Sequence, residues 1–319
     1  MFEHQIDDFM EQCVDKGLSK KTYKSYEQTL TIFTRYLSDQ KKLSNYKDVM
    51  EEHIKDYIAY IKERGKYTIS TNNKNNPKKR RDFGNKISDV TINNYMRNIN
   101  VFFNYLEETR HIKKNPMKRI KQIKVARRPL TFLNDNDFKN LINCLDLAKF
   151  SEYRDRVVIM TLLDTGMRVG ECLATRIEDV DLKEKTIYLH AEITKGKKGR
   201  YVFFSLQLSQ NIKRWLQFQD RYKETEYLFC TNNGRPLQVN NFESNVRKYA
   251  EKVGLKGIHP HVFRNNFAKR FLMNGGDIYT LSKILGHSSV TVTEKEYLDL
   301  NTDDLGKQYA KFSPLARMK

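Results

Sequence analysis

Apolar residues recur at intervals of three and four through the first third of the chain, which is the spacing of amphipathic helices. One stripe follows Ser19, a residue suited to cap a helix start. Its members are Tyr23, Tyr26, Leu30, Phe33 and Leu37. Further stripes comprise Ile54, Tyr57, Ile58 and Ile61, and then Ile92, Tyr95, Ile99, Phe102 and Leu106. The pattern predicts a helical N-terminal domain over residues 1–125.

The pattern changes near residue 130, where a second domain is predicted over residues 126–319. Asn134 or Asp135 is the expected cap of its first helix. An apolar run over 157–163 ends at Gly166, which is typical of a buried helix with a glycine C-cap. Helical periodicity returns after residue 204 and continues nearly to the end.

Two segments between these helices alternate apolar and polar residues, as strands do. Thr186 to Ile193 is one, and Tyr201 to Phe204 is its expected partner across a turn at 195–200. The predicted fold class is therefore mainly α with a small antiparallel β-sheet. A helical domain precedes a mixed α/β domain.

Basic residues are in excess and cluster in two polar segments. There are 58 Lys and Arg against 39 Asp and Glu, a formal net charge of +19, which indicates a polyanionic partner such as nucleic acid. The segment 66–86 is either a DNA-contacting arm or a disordered connector; its basic cluster is Lys78, Lys79, Arg80 and Arg81. The segment 113–128 is the expected linker along DNA phosphates. Its basic residues include Lys118, Arg119, Lys121, Lys124, Arg127 and Arg128.

Several classes are disfavoured by what the sequence lacks. No run of about 18 apolar residues predicts a membrane span, and no signal peptide is apparent. The four cysteines are widely spaced, so neither a zinc site nor a disulfide frame is indicated. The sequence contains no GxxxxGK[ST] loop, the motif that would indicate ATP use. We expect no cofactor and no metal.

The segment Thr165–Glu171 is the first that suggests chemistry. Gly166 ends one helix and Arg168 begins the next, and a helix start with an arginine suits a phosphate. The structural alternative, an ion pair between Arg168 and Glu171 on the same helix, is the better interpretation of this segment taken alone.

Three further segments add basic residues and a tyrosine. A lysine in the turn, Lys195, could donate a proton, although Lys197 and Lys198 compete with it. His261 and Arg264 are three apart and predicted to share a helix face, with Phe263, Phe267 and Phe271 behind them; a surface pair without function is the alternative. Leu285-Gly286-His287 is followed by a helix, capped by Ser288 or Ser289, that leads to Tyr297.

The ordered set of these motifs resembles the tyrosine recombinase, or phage integrase, family. The set is Arg168, Lys195, His261-x-x-Arg264, Leu285-Gly286-His287 and Tyr297. Each motif is weak alone, whereas the full order ending in a C-terminal tyrosine is specific. The ten-residue spacing from His287 to Tyr297 is similar to that in integrases of conjugative transposons. Asn265-Asn266 departs from the family's usual His-Thr at a supporting position.

The resemblance implies a helical core-binding domain followed by a catalytic domain. It also implies a site-specific DNA recombinase that forms a 3′-phosphotyrosyl intermediate without metal or ATP and that moves a mobile element. Tyr297 would be the nucleophile, Arg168 and Arg264 would hold the scissile phosphate, and Lys195 would protonate the leaving 5′ oxygen. His261 would act as acid or base, and His287 would hydrogen-bond the phosphate. Glu171 would support Arg168.

The resemblance also implies partners and a location. These are double-stranded DNA, a homotetramer on paired sites, and accessory DNA-bending or directionality proteins, in the bacterial cytoplasm at the nucleoid and not at a membrane. The tail after Tyr297 would dock on a neighbouring subunit or on its own, and both remain open. Its apolar members are Leu300, Leu305, Tyr309 and Phe312.

Three other functions compete with this interpretation. A type IB topoisomerase shares the chemistry but acts as a monomer without joining two sites. A DNA-binding regulator would retain the fold without catalysis, although all the expected catalytic positions are occupied. An RNA-binding protein is supported by charge alone, since no aromatic RNA-binding motif is apparent.

Overall fold

The computed structural model describes residues 2–69, 80, 82–126, 131–287, 289–297, 306 and 309, with only the backbone of 295–297. The chain divides into two compact units, Met1–Arg127 and Arg128–Lys319, and each has its own hydrophobic core. Within these described ranges, no helix combines the length and the hydropathy that crossing a membrane requires. The units are described in turn.

The first unit is helical, as its apolar stripes predict. Ser19 caps the second helix by accepting from the backbone N–H of Thr22 at 3.2 Å, and Ser88 caps the fourth in the same way. The helices are α1 (Phe2–Asp15), α2 (Lys20–Lys41), α3 (Glu51–Arg64) and α4 (Asp89–Glu108).

Aromatic rings fill the core of this unit. Phe33 and Phe102 are fully buried, and each meets several other rings. Phe33 packs against Tyr57 with ring centroids 4.9 Å apart, and Phe102 packs against Tyr46 at 4.8 Å. Rings of this size bury much apolar area in few residues, which stabilises a small helical unit.

The second unit combines helices with a small sheet, which confirms the predicted fold class. Its first helix is capped by Asn134, whose side chain accepts from the N–H of Asp137. The elements before the last helices are α5 (Asp135–Asn143), α6 (Phe150–Thr165), α7 (Val169–Ala174), β1 (Val180–Asp181), β2 (Thr186–Leu189) and β3 (Arg200–Phe203). They are followed by α8 (Leu206–Gln219), α9 (Val239–Lys252), α10 (Pro260–Met273), α11 (Ile278–Leu285) and α12 (Val290–Tyr297).

The sheet is antiparallel in the order β1-β2-β3, and it differs from the predicted two-stranded hairpin in three respects, the first of which is the additional strand β1. Strand β2 ends at Leu189, because residues 191–193 form a 3-10 turn, so the prediction of a strand to Ile193 is wrong. Strand β3 begins at Arg200, which the sequence placed in the turn, and Leu189 pairs with it. Buried Ile187 lies opposite Val202 and faces the core.

Helix α6 lies at the centre of this unit. It packs against α8 and α10, and Val157, Val158 and Ile159 are fully buried. Because successive residues are buried, the helix has no exposed face in this stretch. It ends at Gly166, whose left-handed backbone (φ 65°) turns the chain toward α7, as predicted from the glycine. A larger residue is excluded there, since an added Cβ would lie 2.3 Å from the ring of Phe267.

Candidate active site

Arg168 occupies the N-cap position of α7, immediately after the turn at Gly166. Its guanidinium donates to Oε1 of Glu171 at 3.1 Å, and its own backbone N–H donates to Oε2 at 2.9 Å. The side chain remains 28% exposed although Glu171 is only 2% exposed. The ion pair expected as the structural alternative is therefore present. It does not bury the guanidinium of Arg168, which remains accessible to a ligand at the surface.

Glu171 accepts two further hydrogen bonds, from a residue that the motifs did not include. Arg200 donates from Nη1 to Oε1 at 3.1 Å and from Nη2 to Oε2 at 2.7 Å. Burial alone raises the pKa of Glu171, but the hydrogen bonds and charge of Arg200, and then those of Arg168, hold it below its usual value. Glu171 is thus a buried carboxylate shared by two arginines.

Arg264 is buried, with 1% of its surface exposed, although it lies one helical turn from exposed His261 on α10. It donates to the carbonyls of Gly166 at 2.7 Å and Leu285 at 3.0 Å. The spacing of three residues puts His261 and Arg264 on one side of α10, as predicted, but neighbouring segments cover only Arg264, so the two side chains differ in exposure.

His287 follows the left-handed C-cap Gly286 of α11 and bridges two elements. Its Nε2 lies 2.8 Å from Nη2 of Arg264, and its Nδ1 lies 2.8 Å from Oγ1 of Thr293. Because a guanidinium has no acceptor, Nε2 is the acceptor in the first contact, which places the ring proton on Nδ1. The Nδ1–H group then donates a hydrogen bond to Oγ1 of Thr293, a buried residue of α12.

Helix α12 ends at Tyr297, four residues after Thr293. Residues four apart lie on the same face of a helix. The side chain of Tyr297 lies outside the described part of the structure, as do Ser288 and the predicted tail residues Leu300, Leu305 and Phe312. Tyr309 is described and exposed.

The turn between β2 and β3 is shaped by Thr194. Its hydroxyl donates within the turn and accepts from the N–H of Lys198 at 3.1 Å. All three lysines of the turn are exposed. Lys198 lines the cavity described next, whereas Lys195 and Lys197 lie on the same turn outside its lining.

These segments surround a cavity of about 380 Å³. Three lysine or arginine side chains and one histidine line it besides Arg200, and no carboxylate does. Its lining residues are Arg168, Thr194, Gly196, Lys198, Gly199, Arg200, Lys283, Gly286 and His287. Such a lining of cationic side chains suits an anion. Among the described residues, no cluster of His, Cys, Asp and Glu could hold a metal ion.

The predicted DNA-contacting residues of the first unit and the linker have mixed outcomes. Arg80 stacks on Tyr67, 4.0 Å from its ring centroid, and bonds Asp82; Lys118 pairs with Glu107. Exposed basic side chains are found at Arg119, Lys121 and Lys124. The structure does not describe Lys78, Lys79, Arg81, Arg127 and Arg128.

Asn266, where the motif departs from the family pattern, has a structural role. Its Oδ1 accepts from the N–H of Leu133 at 2.9 Å, and its Nδ2 donates to the carbonyls of Thr131 and Val262. It therefore fastens the start of the second unit to α10. An asparagine satisfies this position fully, which explains why the departure leaves the fold intact.

Comparison with known proteins tests the resemblance. The profile of the phage integrase family matches residues 131–303, which is more than half of the chain, and the phage integrase SAM-like domain matches residues 1–124. The chain belongs to the phage integrase family. Membership makes this integrase a site-specific DNA recombinase of the tyrosine class, as its motifs indicated.

Relatives and solved structures match most of the chain. Tyrosine recombinase XerC of Pediococcus pentosaceus is 25% identical over 94% of each chain, and XerC of Thermodesulfovibrio yellowstonii is 30% identical over 72% of this chain and 78% of its own. The Tn1549 transposon integrase in complex with a circular intermediate DNA has a TM-score of 0.73 at 18% identity, covering 96% of this chain and 99% of that one. This chain therefore shares the fold of the Tn1549 transposon integrase.

Two residues of the site were missed by motif reasoning. Arg200 was hidden among the lysines of a basic turn, and only the carboxylate that it meets distinguishes it. Thr293 lies between His287 and Tyr297, and its helical spacing from the tyrosine was a usable signal. The partner that defines the role of Arg200 is Glu171, 29 positions earlier, whereas His287 lies only six positions before Thr293.

Proposed function

We propose that the cavity beside Arg168 receives the scissile phosphate of double-stranded DNA and that Tyr297 attacks it. The observation that carries this proposal is the convergence of Arg168, His287 and Lys198 on one anion-suited cavity. The helix that ends at Tyr297 is joined to that cavity through Thr293 and His287. Cationic groups around a phosphate stabilise the extra charge of its pentavalent state.

The proposed chemistry is two balanced transesterifications. The phenolic oxygen of Tyr297 bonds to phosphorus, its proton passes to a base, and the bond to the 5′ oxygen breaks. That oxygen takes a proton from a lysine and leaves as a 5′ hydroxyl, so a 3′-phosphotyrosyl bond remains. A second 5′ hydroxyl reverses these steps and reseals DNA. The bond energy is kept throughout, which accounts for chemistry without ATP.

Arg264 contributes from behind His287. Because it is buried and its Nη2 is occupied by His287 and Leu285, it acts through its charge and by orienting the imidazole. Exposed His261 is the proposed acid or base on the same helix.

Lys195 remains the proposed acid for the leaving oxygen, with Lys198 as its rival. The family pattern favours Lys195, whereas Lys198 lines the cavity. Both lie on one exposed turn, which the hydroxyl of Thr194 stabilises. Separate Lys195→Ala and Lys198→Ala variants decide between them, because only loss of the acid is rescued by a substrate with a better leaving group than the 5′ hydroxyl.

We further propose that the integrase works as a homotetramer on paired sites and moves a mobile element in bacterial DNA, with accessory DNA-bending or directionality proteins. The His287-to-Tyr297 spacing supports the mobile element, and the excess of basic residues supports binding along DNA at the nucleoid. In a host that carries the gene with its flanking DNA, amplification across joined ends should detect an excised circle. A Tyr297→Phe allele should give none; resolution of chromosome or plasmid dimers alone would contradict the mobile element.

The central test uses a nicked duplex made from the DNA that flanks the gene. Wild type, Tyr297→Phe and Tyr279→Phe are incubated with it in EDTA and separated on a denaturing gel. Tyr279 is a matched control because it is an exposed tyrosine on α11. We expect a covalent adduct with wild type and Tyr279→Phe only.

Other outcomes contradict the proposal in distinct ways. An adduct that persists in Tyr297→Phe means that another tyrosine is the nucleophile. Binding without an adduct in wild type favours a regulator. Relaxation of supercoiled plasmids without any site, by monomers, favours topoisomerase activity.

A further inference from the structure

Arg200 makes three hydrogen bonds at the site, and no motif includes it. Its Nη1 and Nη2 hold both oxygens of Glu171, and its Nε donates to the carbonyl of Ile284 at 3.2 Å. All three nitrogens of the guanidinium are thus used, and the side chain is only 13% exposed. A lysine could not reproduce this pattern, since it lacks the planar fork.

The guanidinium of Arg200 also lies against Gly286. A Cβ added to this glycine would be 2.9 Å from Nε and 3.0 Å from Cζ, which real side chains do not tolerate without movement. Gly286 precedes His287 and has φ 65°. The glycine therefore admits the arginine as well as the turn that places the histidine.

Arg200 thereby connects three segments that each contribute to the cavity. Through Glu171 it reaches Arg168; through Ile284 and Gly286 it reaches the end of α11, which leads to His287. It belongs itself to the β2–β3 hairpin, whose turn contains Lys195 and Lys198.

We propose that Arg200 is a positioning residue that aligns Arg168, the turn lysines and His287 for strand cleavage. The inference rests on the proposed function, because it assigns Arg200 to the same site. Arg200 would act through Glu171 and the backbone of α11 and not through contact with DNA. Misplacement of catalytic groups by about 1 Å costs on the order of 100-fold in rate.

Loss of Arg200 has a second consequence for Glu171. Arg168 would be its remaining close cation, while Lys198, Lys283 and His287 line the cavity and Arg264 lies behind His287. Without the hydrogen bonds of Arg200, burial would raise the pKa of Glu171. A protonated Glu171 accepts fewer hydrogen bonds from Arg168, so cleavage by the variant should fail at a higher pH than in wild type.

The test compares Arg200→Gln and Arg200→Lys with Arg176→Gln, a matched control in which an exposed, ion-paired arginine is lost from the same unit. At saturating nicked duplex, we expect covalent adduct formation by Arg200→Gln to slow by about 10- to 100-fold. Arg200→Lys should be intermediate, because it keeps the charge without the fork. DNA affinity should change by less than about threefold, and the acid limb of the pH–rate profile should move upward.

Hydrogen exchange of DNA-free protein provides a readout that does not depend on cleavage. Exchange should accelerate at residues 168–172 and 284–287 in Arg200→Gln and stay unchanged in Arg176→Gln. Should wild type form no adduct, the proposed function fails while exchange still decides the role of Arg200. Should Arg200→Gln fail to fold, Arg200→Lys serves in both measurements.

Two results would overturn the inference. One is wild-type cleavage and wild-type exchange in a folded Arg200 variant. The other is weaker DNA binding with normal cleavage at saturation, which would make Arg200 a DNA contact. Adding Glu171→Gln to Arg200→Gln should cost little more, because coupled residues are not additive.

Discussion

Two carboxylates in the second unit are buried, and each accepts hydrogen bonds from an arginine. They differ in whether all the charges around the carboxylate are buried. Asp155 receives Nε and Nη2 of Arg154, at 2.9 and 2.7 Å, together with Asn245 and Tyr249, and is fully buried. Arg154 is itself 4% exposed and donates to the carbonyl of Cys230. This network is closed, because both of its charged side chains are buried within the unit.

The network of Glu171 also depends on an arginine, but one of its charges is partly exposed. Arg200 donates to both oxygens of Glu171, whereas Arg154 donates twice to Oδ1 of Asp155. The second arginine of Glu171, Arg168, leaves 28% of its side chain exposed at a cavity. The comparison teaches that a buried ion pair alone does not indicate a site. What matters is whether one of its charges remains available to a ligand.

Asp155→Ala should have the largest effect, and it should be confined to stability. Removing one partner of a buried pair leaves Arg154 uncompensated, which costs about 3–5 kcal/mol in the free energy of unfolding. Denaturant unfolding measures this loss. Adduct formation per folded molecule should equal that of wild type; a further loss of cleavage would mean that the closed network also serves the site.

Arg168→Ala should show the reverse pattern. Loss of one group that stabilises the transition state lowers the rate by about 10²–10³-fold. Stability should change by less than about 1 kcal/mol, because the ion pair is partly exposed and Arg200 still holds Glu171. Single-turnover adduct formation and denaturant unfolding give the two numbers, and a large loss of stability would erase the distinction between the networks.

Thr293→Val should have a smaller effect, directed at the path from His287 to α12. The Nδ1–H of His287 would lose its acceptor, and an unsatisfied buried group costs about 1–3 kcal/mol. We expect adduct formation to slow by about tenfold. Thr291→Val on the exposed face of α12 is the control; equal slowing in both variants would assign the effect to the helix and not to the hydrogen bond.

Acidification should separate the two carboxylates by sign, with the smallest effect. The pKa of Glu171 lies below its usual 4.5, so its contribution to stability is present above that pH and lost as pH falls through the folded value. Burial, which outweighs Arg154, Asn245 and Tyr249, raises the pKa of Asp155, so protonation favours the folded state there.

The measurement is the free energy of unfolding against pH for two isosteric variants. Glu171→Gln should lose less stability than wild type on acidification, and Asp155→Asn should lose more. Equal slopes for both variants would show that the two networks do not differ in protonation.

Local signals in the sequence predicted much of this fold. Ser19, Asn134 and Gly166 each determine a helix end through their own side chain or backbone, so local chemistry sufficed. Strand β1 has two residues, too few to show a period. The end of β2 was missed because Ala191 and Ile193 continue the alternation although the chain turns there.

The site was harder to predict because it depends on contacts between distant segments. The order of motifs identified Arg168, His287 and Tyr297 as a set, but the burial of Arg264 follows from covering segments that its helix spacing does not reveal. The role of Arg200 depends on Glu171, 29 positions earlier. The catalytic roles of these residues, including Lys195, stay predictions.

The contact between Gly286 and Arg200 has a consequence for how related sequences vary. A residue with a β-carbon at position 286 would be strained by the φ of 65° and would also need the space that the arginine side chain occupies. The two positions should therefore change together: relatives with a residue other than glycine at 286 should have a smaller side chain at 200. In such relatives, either position 171 should hold a neutral residue, or a carboxylate at 171 should be paired with a second cation from another element.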